Sequence, residues 1–186
     1  MDSALENKVM NYELTDLKPA HYALINREQR ELLGNLEKFQ APYLEEKLLQ
    51  EGKFSSKKEY VEAFTEFKKY VALNKFSSKP LGMTSKKIDE VWHQFILFTK
   101  EYGDFCRYYL GNFLHHSPDT PLTKSSKDFT INFFKAYGET FGDVPKIWKE
   151  NNEVLNYLAG PDCSSEPAGC SSKCSADACH GTMCSS

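Results

Sequence analysis

Hydrophobic residues recur along most of this chain at steps of three and four, the spacing that stacks side chains on one face of an α-helix. Leu24, Ile25, Leu32, Leu33 and Leu36 outline a first amphipathic segment. Tyr43, Leu44, Leu48 and Leu49 outline a second after Pro42. The third is the clearest. It begins at "SKKE", Ser56 to Glu59, where the serine oxygen can accept from a free backbone amide while the glutamate three places on reaches back. Tyr60, Phe64, Phe67 and Val71 then follow on one face and predict a core stripe. A fourth segment starts near Ser85 with Ile88, Val91, Trp92, Phe95, Thr99 and Tyr102 in register, and another runs from about Ser126 to Tyr137 with Phe129, Phe133, Phe134 and Tyr137 inward. No segment alternates with a period of two between hairpin turns. The expected fold class is therefore all-α, one domain of five to seven helices.

The pattern fails at both ends. Residues 1–19 mix polar and apolar positions without a period and are expected to form a weakly ordered arm with one docking turn at Leu14 to Leu17. The helical domain is expected over residues 20–160, since apolar periodicity ends near Leu158. Residues 161–186 are almost entirely Ser, Gly, Ala, Pro and Cys, too poor in apolar surface to offset the entropy of ordering, and predict a disordered tail. That tail holds Cys163, Cys170, Cys174, Cys179 and Cys184, five of the six cysteines.

Length and charge set the surroundings. At 186 residues the chain can bury one substantial core. Its 23 basic and 26 acidic side chains leave a net charge of -3, so no field draws it toward nucleic acid or an acidic membrane, and neither is expected as a partner. The pairs Lys57-Lys58 and Lys86-Lys87 read as solvated helix faces. With no long apolar run and no basic-then-apolar start, the expected compartment is the cytoplasm, where thiols stay reduced and serve metal binding or modification rather than a disulfide framework.

One stretch concentrates chemistry: "IDEVWHQFILFTKEYGDFCRYYLGNFLHHSP", Ile88 to Pro118. His93 lies off the apolar stripe with Ile96 and Leu97 nearby, which predicts a helix buried nearly all round and a histidine in need of partners. Asp89, four residues earlier, can bond one imidazole nitrogen and leave the other for a ligand, or the two can form a buried hydrogen bond and nothing more. Cys106 shares a face with Tyr102, Phe105 and Tyr109, as packing or as a thiolate ligand. His115 and His116 close the helical pattern. If the chain folds back near Lys100 to Gly103, then His93, Cys106 and either His115 or His116 supply the nitrogen and sulfur donors of a zinc-like site, with Asp89 orienting His93 or completing the set.

The same stretch resembles the core motif of the glycine-rich domain protein family of plants and its bacterial relatives. In that motif an acidic residue precedes a Trp-His pair, a Tyr and a Cys follow, and a Gly introduces a His beside an acidic or Ser-Pro turn. The matching residues are Asp89, Trp92, His93, Tyr102, Cys106, Gly111 and His115 or His116. The resemblance implies a tail rich in Cys and Gly, here with Ser in place of much of the Gly, and it implies no activity. Phe95 stands where the plant pattern has a second histidine.

Two classes of function follow. The first is a metal-binding protein with a zinc-like ion in the folded domain. The second is an interaction or carrier protein whose tail thiols gather a soft ion such as copper(I) or zinc, or are presented to a modifying partner protein. Without a phosphate loop, a nucleophile elbow or an HExxH helix, binding is expected ahead of catalysis. The absence of CxxC argues against dithiol redox chemistry.

Overall fold

The computed structural model describes residues 16–20, 22–116 and 127–149 of the chain. Among them are six α-helices and no strand, in keeping with the all-α expectation. The first, α1, spans Arg27–Lys38 and starts later than its leading apolar residues suggest, because Asn26 caps it: its side chain accepts from the Gln29 amide, and Gln29 returns a bond to the Asn26 amide. Leu24 is thereby left in a 3-10 turn, Tyr22–Leu24, and is 70% exposed. Helix α2, Pro42–Gln50, has its proline in the first turn. Helix α3, Lys57–Phe76, is capped by Ser56, but Glu59 reaches one residue further back than the motif suggests, accepting from both the amide and the hydroxyl of Ser55. Then come α4, Lys86–Leu97, capped by Ser85, and α5, Thr99–Phe105. A π-helical turn, Cys106–Leu110, ends at Gly111 with φ of 76°, a left-handed conformation that glycine adopts without Cβ strain. Helix α6 covers Lys127–Phe141, and a 3-10 turn, Lys146–Trp148, follows.

Packing explains why α3 is buried on several sides: it touches α1, α2, α4 and α6. The predicted stripe of Tyr60, Phe64, Phe67 and Val71 is buried throughout. Two charged residues of α3 are buried with it, and each is spoken for. The Lys68 ammonium donates to the carbonyls of Glu37 and Phe39 and so closes the C-terminal end of α1, while burial lowers its pKa to about 8. Glu66 accepts from the Tyr137 hydroxyl at 2.8 Å, the Trp148 indole at 2.6 Å and the Lys69 ammonium at 2.9 Å. These bonds join α6 and the final turn to α3. No helix among the described residues is long and apolar enough to cross a membrane.

The helix carrying Trp92 departs from its predicted course. A single run from Ile88 to Tyr102 would keep Thr99 on the core stripe, but the chain breaks at Phe98 (φ -82°, ψ 65°), ahead of the bend expected at Lys100 to Gly103. Ile88, Val91, Trp92 and Phe95 are buried as expected, and Tyr102 is buried from α5 instead, while Thr99 is exposed. The second apolar side of α4 faces outward: Leu97 is 71% exposed, and so the expectation of burial around His93 is corrected. Leu17 is buried. Leu14, residues 150–158 and the whole tail, with Cys163, Cys170, Cys174, Cys179 and Cys184, lie outside the described residues.

Candidate metal centre

Three residues named from the sequence meet in space. Asp89 and His93 stand one turn apart on α4, and His116 arrives from the segment after Gly111. One ligand-capable atom from each lies within 4.8 Å of the other two. The closest pair is not the one predicted: Asp89 Oδ1 and His116 Nε2 are 2.6 Å apart, a short charge-assisted contact, whereas Asp89 Oδ2 and His93 Nδ1 are 3.5 Å apart. Helical spacing could not choose between His115 and His116, because His116 reaches Asp89 across 27 positions of chain.

The two imidazoles have opposite surroundings. The His93 side chain is 44% exposed and opens the cluster to solvent, while that of His116 is 8% exposed. The His116 ring lies 4.2 Å from the Trp92 ring and 4.4 Å from that of His93, centroid to centroid. Among the described residues, nothing pairs with its buried Nδ1. A buried ring nitrogen that finds no partner costs free energy. The carboxylate of Asp89 is felt deeper in the core. Tyr70, whose hydroxyl donates to the Leu81 carbonyl, has its pKa raised to about 12 by burial first, with the charge of Asp89 adding to it.

Cys106 and His115 stand apart from this cluster. The thiol is buried in the π-helical turn, where it interacts with the Tyr102 hydroxyl. His115 points outward and packs on Phe113, with ring centroids 4.9 Å apart. The break at Phe98 and the π-helical turn account for Cys106, since a uniform helical period carried through both would misplace every residue beyond them.

Tyr102 is the residue whose part in the site the sequence hid. Its hydroxyl accepts from the Trp92 indole at 2.9 Å and donates to the Leu114 carbonyl, two residues from His116. Burial raises its pKa and keeps that donor protonated. Its ring also meets Phe113 edge-on, with centroids 5.1 Å apart.

The class of protein so defined is a small helical domain with a two-histidine, one-carboxylate cluster at the junction of α4 and the segment that follows the π-helical turn. A family model described as UCP032817-like matches residues 29–135, more than half of the chain and including all three cluster residues, and the chain belongs to that family. This corrects the resemblance to the glycine-rich domain proteins: a Trp-His, Tyr, Cys and Gly spacing over some thirty residues is too short a pattern to decide between families of helical domains. No curated protein and no solved structure matches the chain.

Proposed function

We propose that this protein binds a divalent metal ion of the zinc type through Asp89, His93 and His116. The observation that supports it is the convergence of three donor atoms within 4.8 Å, one of them on a largely buried imidazole. Two imidazoles and a carboxylate suit zinc, and also ferrous iron, while the absence of a thiolate from the cluster removes its preference for copper(I). Three protein ligands leave a position open on a tetrahedral ion, and exposed His93 puts that position toward solvent.

One distance favours a second reading. Donors bound about 2.0–2.1 Å from a tetrahedral zinc stand about 3.3 Å from each other. The 3.5 Å between Asp89 and His93 fits such an edge, but the 2.6 Å between Asp89 and His116 is a direct hydrogen bond. In the metal reading the carboxylate turns away from His116 by less than about 1 Å as the ion enters. In the second reading the pair is a clamp holding the segment to α4.

Full-length protein with its five tail cysteines replaced by serine, stripped of metal and titrated with zinc, decides between them. The expected result is one equivalent bound, more weakly as pH falls because protons compete for the imidazoles. His93→Ala and His116→Ala should each weaken binding by about a hundredfold or more. No uptake by the parent protein would leave the clamp. Uptake by the wild-type chain alone would instead favour the carrier reading, in which the tail thiols take zinc or copper(I) or are presented to a partner protein.

A further inference from the structure

We infer that Tyr102 is a positioning residue for the metal centre, holding the segment that delivers His116 through its hydroxyl on the Leu114 carbonyl and its ring on Phe113. The inference rests on the metal reading above and adds to it the part of the fold that sets the geometry of the third ligand.

The need for such a residue follows from where the ligands come from. Asp89 and His93 share one helix, so their separation is set by the helical turn. His116 sits in a segment without regular secondary structure, and its backbone has no ladder to fix it. What the segment has instead is a relay from the core. The Trp92 indole donates to the Tyr102 hydroxyl, which donates onward to Leu114, and the Trp92 ring also lies against the His116 ring. A single residue pair thus touches both the backbone before the ligand and the ligand itself. Gly111 completes the arrangement by turning the chain out of the π-helical turn toward α4, while Lys75 donates to the Leu110 carbonyl at 2.7 Å.

Removing the hydroxyl leaves the segment in place on average but less narrowly confined. Partners that orient metal ligands typically affect affinity by about 10–100-fold when removed. Tyr102→Phe should therefore weaken zinc binding by about tenfold, measured by competition with a chromophoric chelator in the full-length, tail-serine protein. The cobalt(II) form should show an altered visible spectrum, a change that lost stability alone does not produce. Phe134→Ala, in α6, which packs chiefly on α3, serves as the control for stability. It should lower the melting temperature and leave affinity and spectrum alone. If Tyr102→Phe does not fold, Phe113→Ser decides, because Phe113 is 47% exposed and tolerates replacement. It should weaken binding about threefold by releasing one of the two contacts with Tyr102. Parent protein that binds zinc, with either folded variant matching it in affinity and spectrum, overturns the role of Tyr102 and leaves the metal reading standing. Parent protein that binds no zinc overturns both.

Discussion

Trp92 shows how much one side chain can decide. It lies between Phe67 and Tyr70 of α3 on one side and His116 on the other, with its indole N–H committed to Tyr102. Its replacement by alanine removes a buried aromatic surface and leaves a hydroxyl short of a donor, a loss of about 3–5 kcal/mol. Trp92→Ala should lower the melting temperature sharply and also weaken zinc binding, whereas His93→Ala, at an exposed position, should weaken zinc binding with little thermal effect. Thermal melts of the two variants, each with and without zinc, separate the two contributions. The burial of Trp92 was legible from its place in the apolar stripe. Its contact with His116 was not, because nothing local in a sequence specifies which distant segment will cover a given ring.

The starts of α3 and α4 were readable, whereas the start of α1 and the end of α4 were not. Ser56 and Ser85 cap as their positions suggest, since capping depends on a few consecutive residues. The Ser56 cap adds an electrostatic anchor that spacing could not show: Glu59 accepts from Ser55 and pairs with Lys87 of α4 at 2.6 Å. The hydrogen bonds from Lys87 and Ser55 lower its pKa from 4.5 to about 2. A carboxyl whose pKa is lower in the folded state than in the unfolded one contributes stability above its unfolded value and loses it as pH falls through the folded value. The contribution of Glu59 should accordingly be present above pH 4.5 and fade toward pH 2. Melting temperatures measured across that window should fall less steeply for Glu59→Gln than for wild type; parallel curves would show that the pair is too well solvated to matter.

At the scale of the molecule, the two ends of the fold are coupled through α3. Glu66 collects Tyr137 from α6, Trp148 from the final turn and Lys69 from its own helix, so the C-terminal elements are held by a buried acceptor as well as by apolar packing. Glu66→Ala would take the carboxylate from Tyr137 and Trp148 together and leave Lys69 only its hydrogen bond with Tyr137, and removing one partner from a buried ionic network costs about 3–5 kcal/mol. Chemical denaturation followed by far-UV circular dichroism should give an unfolding free energy lower by that amount. A variant as stable as wild type would mean that water replaces the carboxylate without cost.

The sequence by itself determined the helical class, the cap at Ser56, the helix start near Ser85 and the core stripes of α3 and α4, because each depends on residues within one or two turns of each other. It also singled out the stretch that holds Asp89, His93 and His116, three residues that meet in the structure. Tertiary structure alone decided which of them meet. The break at Phe98 turns Thr99 outward, the π-helical turn directs Cys106 into the core beside Tyr102, and Gly111 sends the chain back so that His116, rather than Cys106 or His115, closes on Asp89. A helical period holds only while the helix continues, and a ligand set drawn from two segments depends on the turn between them.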